Sequence, residues 1–367
     1  MEHEFTHKIK HILNDHFGPL ATDIYEKSPL IQYINKKTVS AMRGSKARAS
    51  FANLYAVYVL VEDYLNRSFD KRGGYSDYEG AQFTNLMTRQ RQLPFGSKLQ
   101  NHALNHRMNE EFKKFFPEVE YVPILRDDET RRYWINERLL KISVSGKIYN
   151  IATMIKQVIE QYMRTKRSAF NKFIKTCENL KLIGRQGIHS AEDFIIALLA
   201  PNVDARIFEI VSYAILKYYY HDQVIYVGFD VESIQKENLK LYKTGRTNAN
   251  DGGIDFVMRP LGRFFQVTES IDAKKYFLDI EKIERYPISF VIKSEEPVDV
   301  LKERLKQGAE KRYSVSVIVN KYMECIEEII NIPVLKDRFK EAIKEGYLAQ
   351  ILGEIVTQSR VEFNYPE

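Results

Sequence analysis

An acidic residue, Asp255, and an amide residue, Gln266, lie on two short segments that have the pattern of β-strands and are separated by a tight turn. Residues 254–258 and 263–268 are rich in apolar and aromatic residues, and residues 259–262 hold the Pro and Gly typical of a turn. Asp255 stands near the head of the first run, and Gln266 interrupts the second, where an apolar residue would pack better. In a hairpin register, these two side chains would lie near one another at one edge of a sheet.

The alternation of side chains across a strand decides which residues can act with Gln266. Thr268 shares its face, together with Phe264, whereas Glu269 turns to the opposite face. A carboxylate beside an amide oxygen suits a hard divalent cation such as Mg²⁺. The alternative is an ordinary hairpin, in which the Asp-Gly-Gly before it is turn chemistry and Gln266 faces solvent. Spacing alone does not separate the two interpretations.

A second acid lies upstream on a segment with helical periodicity. Residues 205–220 carry an apolar stripe, and Glu209 interrupts it. A carboxylate within a mostly apolar helix needs a partner, such as a metal ion or a cationic side chain. The order along the chain is therefore an acidic helix, a strand, a Gly-rich turn, the Asp255 strand and the Gln266 strand.

This combination resembles the PD-(D/E)XK nuclease superfamily. Glu209 on its helix is followed by Asp251-Gly252-Gly253-Ile254-Asp255 and then by Gln266-x-Thr268. The pattern is most similar to that of the Mrr-type restriction enzymes, whose active site reads Asp-Gly-Gly-Ile-Asp followed by Gln-x-Lys. The resemblance covers residues 203–293, about a quarter of the chain. It implies that Asp255 is the central metal ligand, that Gln266 is the second ligand, that Glu209 supports them and that the cofactor is Mg²⁺.

One position departs from the family pattern. Thr268 stands where these enzymes have their catalytic lysine, and a threonine cannot supply a positive charge to the attacking water or the scissile phosphate. Lys274 and Lys275, just beyond the strand, are candidates for a migrated lysine, although each is also typical of a solvated helix surface. Glu269 is a candidate second acid by a shift of one residue, but alternation turns it away from Gln266.

Composition limits the class of protein. The chain has 367 residues, a net charge of +6, 44% hydrophobic residues and only two cysteines, which excludes a cysteine-based zinc site. No apolar run approaches the roughly 20 residues needed to cross a membrane. The first residues lack an apolar signal region, so we expect a cytoplasmic protein without a membrane partner. The mild excess of basic residues favours a polyanionic partner.

Basic and hydroxyl-bearing loops in the first hundred residues are candidates for contacts with DNA. A basic, Ser-rich loop leading into an apolar helix can present cations and backbone N–H groups to phosphate, and Arg side chains can read guanine edges in the major groove. The alternative is that these loops are merely solvated. The candidates are Arg43, Ser45, Lys46, Arg48, Lys71, Arg72, Arg89 and Arg91.

The predicted fold is α/β (α+β), with a restriction-endonuclease-like core whose central mixed sheet is flanked by helices, plus a large and mostly helical N-terminal region. We expect residues 1–200 to form the DNA-recognition region, residues 201–320 the nuclease core, and residues 321–367 C-terminal helices that pack on it. The pattern further predicts a helix at 273–283, a buried strand at 288–293, a helix at 298–311 and a Val-rich strand at 314–319.

The resemblance implies a Type II restriction endonuclease that hydrolyses phosphodiester bonds at a specific sequence in double-stranded DNA. It implies a homodimer, because two-fold symmetry matches a palindromic site, and a cognate DNA methyltransferase as the functional partner. Two alternatives stay open. One is a methylation-dependent or repair endonuclease, and the other is a non-catalytic DNA-binding protein on a decayed nuclease core, which Thr268 makes conceivable.

Overall fold

The computed structural model describes residues 2–39, 47–182, 188–244 and 254–363, without the side chains of 47–49. The chain divides into two compact units, one of Met1–Phe173 with Arg360–Glu367 and the other of Ile174–Ser359. The sequence prediction put the boundary at residue 200. The division instead falls inside a long helix, and the helix after it, Ile188–Leu198, packs against Ala205–Tyr219 of the second unit.

The first unit is mostly helical, as the sequence predicted. Its helices are α1 (Glu4–Phe17), α2 (Ala21–Lys27), α3 (Pro29–Thr38), α4 (Ala47–Asn66), α5 (Phe69–Arg72), α6 (Phe83–Gln92), α7 (Met108–Phe115), α8 (Glu137–Leu140) and α9 (Ala152–Leu182), the last of which continues into the second unit. Residues 54–61 of α4 are all buried, because this helix is apolar on every side. Its position at the centre of the unit follows from that composition.

Two small sheets complete the first unit. Their strands are β1 (Ala81–Gln82), β2 (Ile124–Asp127), β3 (Arg132–Ile135), β4 (Lys141–Val144) and β5 (Lys147–Asn150). The first three pair antiparallel in the order β1-β3-β2, and β4 and β5 form a hairpin. Glycine is required at Gly80, just before β1, because φ is +86° and a Cβ would lie 2.6 Å from the Trp134 ring.

The second unit combines helices with a mixed sheet. Its helices are α10 (Ile188–Leu198), α11 (Ala205–Tyr219), α12 (Ala273–Lys282), α13 (Val298–Glu310), α14 (Ser316–Glu324), α15 (Ile332–Lys344) and α16 (Leu348–Phe363), the last residues of which belong to the first unit. Its strands are β6 (Val224–Val227), β7 (Gln235–Asn238), β8 (Lys240–Lys243), β9 (Phe256–Arg259), β10 (Arg263–Thr268), β11 (Ile288–Ile292) and β12 (Ile326–Ile330). β6 and β7 form a separate hairpin.

The five-stranded sheet of the second unit has the order β12-β11-β10-β9-β8. β8, β9 and β10 are antiparallel neighbours, whereas β10, β11 and β12 run parallel. Parallel strands require a crossover, and α12 supplies the one between β10 and β11. The prediction of a mixed sheet flanked by helices is confirmed.

Helices cover both faces of this sheet. Side chains from α12, α13 and α14 form one apolar core with Ile288, Phe290 and Ile292 of β11. On the opposite face, the Tyr213 ring of α11 lies 5.2 Å from the ring of Phe256, and α11 also packs against α15. Because β11 is covered on both sides, all five of its residues are buried, as the sequence predicted.

Two predicted elements differ from the structure. Residues 314–319 were expected to form a Val-rich strand and residues 321–367 to form helices, but α14 begins at Ser316 and the strand β12 (Ile326–Ile330) lies within the second range. Val319 and Met323 are buried against the α12–α14 core while Lys321, between them, is exposed; a helix allows this, whereas in a strand Lys321 would share their face. No helix among the described residues is long and apolar enough to span a membrane.

Candidate functional site

Asp255 is held in place by both strands that flank it. Its main-chain N–H donates to the carbonyl oxygen of Phe265 on β10, at 3.1 Å, and its own carbonyl oxygen accepts from the N–H of Thr244, just beyond β8, at 2.9 Å. The hairpin register pairs Phe256 with Phe265. Asp255 therefore lies beside Gln266 at the end of β9, as the predicted hairpin requires.

The side chain of Asp255 is mostly buried and carries an unusual proton affinity. Its Oδ2 accepts a hydrogen bond from the main-chain N–H of Val267, at 2.7 Å. Burial and the nearby charge of Glu209 raise the pKa of Asp255 to about 7, against the lowering effects of the Val267 hydrogen bond and of Arg206 and Lys243. Two carboxylates close enough to affect one another in this way form a site that favours a proton or a cation.

Glu209 reaches this site from α11. The helix begins after Asp204, whose side chain accepts from the N–H of Arg206 at 2.8 Å and caps the first turn. Glu209 is buried and makes ion pairs with two cations, with Lys243 Nζ at 3.0 Å from its Oε1 and with the Arg206 guanidinium at its Oε2. The need of this buried acid for a partner, inferred from sequence, is met by cationic side chains.

Gln266 contributes an oxygen that lacks a partner. Its Oε1 is buried and accepts no hydrogen bond within the described residues. Phe264, on the same face of β10, joins the α12–α14 core, whereas the ring of Phe265 lies 6.2 Å from that of Tyr220 at the end of α11. The predicted alternation is thus confirmed. An unpaired buried acceptor is costly, and a cation would satisfy it.

Thr268 ends β10 and has a local structural role. Its hydroxyl donates to the carbonyl oxygen of Ser270 at 3.0 Å, which tightens the chain before α12. Lys274 and Lys275 are exposed on the first turn of α12, where the N–H of Lys274 donates to the capping Asp272. The surroundings of these two lysines are those of a solvated helix surface.

Sequence reasoning did not select Lys243, which forms an ion pair with Glu209. It lies on β8 opposite Phe256, on the same strand face as the buried Leu241. A charged residue that shares a face with a buried apolar one requires a partner, and this signal was available in the sequence Lys-Leu-Tyr-Lys.

A second unpredicted pair lies at the end of the neighbouring strand. The Nζ of Lys293, just after β11, is 2.7 Å from Oε1 of Glu269 and also donates to the carbonyl oxygen of Val203. Only 3% of the Lys293 side chain is exposed. Glu269 therefore pairs with a buried lysine, and nothing in its contacts indicates that it acts as the second acid.

The donor set fits a hard divalent cation. Among the described residues, no three His, Cys, Asp or Glu side chains cluster so that they could hold a metal ion by themselves. Mg²⁺, however, is usually held by one or two carboxylates together with waters and substrate phosphates. Asp255 and Glu209 supply two neighbouring carboxylates, and Gln266, on the adjacent strand, has an unpaired buried amide oxygen. Asp251 of the Asp-Gly-Gly turn lies outside the described residues.

The predicted DNA-contacting residues differ in their surroundings. Arg43, Ser45 and Lys46 lie outside the described residues, as does the side chain of Arg48. Lys71, Arg72 and Arg91 are exposed, and the Arg72 guanidinium lies 4.3 Å from the Phe69 ring centroid.

Arg89, in contrast, forms a bidentate ion pair with Glu62. Its Nε and Nη2 contact Glu62 at 2.6 and 2.8 Å. The Glu62 carboxylate holds the pKa of Arg89 above its usual range. Arg89 is therefore placed to stabilise the first unit.

Known proteins supply no further guide. No family model, no curated protein and no solved structure matches the chain.

Proposed function

We propose that this protein is a Mg²⁺-dependent deoxyribonuclease of the restriction-endonuclease type. The observation that carries the proposal is the electrostatic proximity of Glu209 and Asp255, together with the unpaired amide oxygen of Gln266, whose backbone lies beside that of Asp255 in the hairpin register. The mixed sheet flanked by helices agrees with the core that the resemblance to PD-(D/E)XK nucleases implies. The more specific proposal is a Type II enzyme that cuts double-stranded DNA at a fixed sequence.

Each residue of the site has a role in this proposal. Asp255 would hold Mg²⁺ through its carboxylate, Gln266 would offer its amide oxygen, and Glu209 would support the site from α11. The bound metal would polarise a phosphoryl oxygen and lower the pKa of a bound water. Because main-chain hydrogen bonds to Thr244 and Phe265 fix Asp255, its carboxylate is positioned before DNA arrives.

The same proposal assigns DNA recognition to the first unit. Lys71, Arg72 and Arg91 are the exposed candidates for contact with the duplex. A palindromic target would be read by a homodimer, whose two-fold axis matches that of the site. A cognate DNA methyltransferase would then protect the host's own copies of the sequence.

Cleavage of plasmid DNA tests the proposal. The purified protein is incubated with unmethylated and methylated plasmid, with Mg²⁺ or with EDTA, beside Asp255→Ala. We expect discrete fragments from unmethylated DNA with Mg²⁺ only, and none from Asp255→Ala, although that variant still binds the plasmid. Fragments from methylated DNA alone would indicate a methylation-dependent enzyme, and cleavage confined to damaged DNA would indicate a repair endonuclease.

A non-catalytic DNA-binding protein is the second candidate, and two observations favour it. Thr268 occupies the position of the family lysine, and Glu209 is already neutralised by Lys243 and Arg206. Binding of DNA without cleavage under any of these conditions would support this function and exclude the nuclease.

A further inference from the structure

We propose that Lys243 supplies the positive charge at the reacting phosphate that Thr268 cannot supply. This inference rests on the proposed nuclease function and concerns the same site. Lys243 ends β8, pairs in register with Phe256, the residue that follows Asp255, and places its Nζ 3.0 Å from Oε1 of Glu209. It is thus fixed by the sheet beside both carboxylates.

The other cations near the sheet fit this role less well. Lys274 is exposed on α12, and its surroundings are those of a surface residue. Lys293 is enclosed and is held by Glu269 and the carbonyl oxygen of Val203. Arg206 lies on the first turn of α11, and its side chain is 32% exposed, against 14% for Lys243. A less exposed charge is screened less by water and acts more strongly on a neighbouring anion.

Hydrolysis of a phosphodiester shows why a cation is needed here. The oxygen of a water molecule forms a bond to phosphorus, and the bond from phosphorus to one ester oxygen breaks. The water gives one proton to solvent, and the departing alkoxide takes one proton from solvent, which leaves a phosphomonoester and an alcohol. Negative charge on the phosphoryl oxygens must be stabilised in the transition state.

The geometry allows Lys243 to provide that stabilisation. An ammonium group has three donors, and the contact with Glu209 accounts for one of them. A phosphate bound at Asp255 would place its oxygens beside the same ammonium group. Lys243 would act there as a positive charge and would transfer no group to the substrate.

Single-turnover cleavage measured separately from DNA affinity tests the role. The variants are Lys243→Met, Lys243→Arg and Lys240→Met, the last a matched control on an exposed lysine of the same strand. We expect Lys243→Met to lower the cleavage rate constant by on the order of 100-fold or more, with DNA affinity changed only a few-fold. Lys243→Arg should recover part of the rate, and Lys240→Met should cleave at the wild-type rate.

The outcomes separate this inference from the proposed function. A wild type that cleaves, with a Lys243→Met variant that cleaves within a few-fold of its rate, would overturn the role of Lys243 and leave the nuclease intact. Loss of cleavage in Lys293→Met but not in Lys243→Met would also overturn it. A wild type that never cleaves would refute the proposed function itself. If Lys243→Met fails to fold, Lys243→Gln, which keeps a polar group against Glu209, takes its place.

Discussion

Substitution of Asp255 by asparagine should stabilise the metal-free protein at alkaline pH while abolishing the proposed cleavage. The carboxylate of Asp255 is mostly buried beside Glu209, and these two causes raise its pKa to about 7 from an ordinary value of 3.8. An amide has no charge to desolvate and does not repel Glu209. Its oxygen can still accept the hydrogen bond from the N–H of Val267.

The sign and size of the effect follow from proton linkage. Between pH 3.8 and about 7, the native protein holds the Asp255 proton more tightly than the unfolded chain does. The contribution of Asp255 to stability is therefore fully present below pH 3.8 and is lost as the pH rises through about 7. A shift of about three pKa units, at about 1.4 kcal/mol each, sets a ceiling on the order of 4 kcal/mol.

Urea unfolding without Mg²⁺, at pH 5 and at pH 8, measures this effect. We expect Asp255→Asn to exceed the wild type in free energy of unfolding at pH 8, and the difference to shrink at pH 5. Comparing the two proteins at each pH removes the contributions of the other titrating groups. A variant less stable than the wild type at pH 8, or a difference that does not change with pH, would show that the buried carboxylate of Asp255 does not destabilise the protein at alkaline pH.

Three further predictions follow from the contacts. Arg89→Met should lower the free energy of unfolding of the first unit by about 1–3 kcal/mol, because it leaves the half-buried Glu62 without its bidentate partner. Arg91→Met, the control, should change this free energy little. Equal losses for the two variants in urea titrations would contradict the prediction. Gln266→Leu should leave the free energy of unfolding without metal within about 1 kcal/mol of the wild type, since the lost oxygen has no partner. The same variant should reduce Mg²⁺-dependent cleavage. A large loss of stability, measured by calorimetry, would show that the amide is paired. Mg²⁺ should raise the melting temperature more at pH 8 than at pH 5.5, because the metal competes with the proton on Asp255. Equal shifts of the melting temperature at both pH values would count against binding of Mg²⁺ at Asp255.

The parts of the fold with clear periodicity could be predicted from the sequence. The α9 and α11 segments have long apolar stripes, and the hairpin of β9 and β10 has alternating runs around a Pro-Gly turn, so local patterns determine them. α14 could not be predicted in this way. Its β-branched residues favour a strand, and only packing of Val319 and Met323 against other elements selects the helix.

The acidic residues of the site could be predicted from the sequence, but its lysines could not. Asp255 and Glu209 could be selected because each is an acid in an apolar setting. Lys243 and the Lys293–Glu269 pair could not be selected with the same ease, since their partners are distant in sequence and meet only when β8, β10 and β11 assemble with α11. The sequence around Lys243 and Lys293 has no local feature that separates these lysines from surface lysines, apart from a buried neighbour on the same face.

Single-turnover digestion of unmodified phage DNA tests whether the site at Asp255 cleaves DNA with Mg²⁺. Wild type and Asp255→Ala are compared in Mg²⁺, with DNA binding measured for both, and the fragment ends are mapped. We expect a small set of fixed ends from the wild type, no cleavage by the variant and similar binding by the two. Equal cleavage by both proteins, or no cleavage by the wild type, would contradict it.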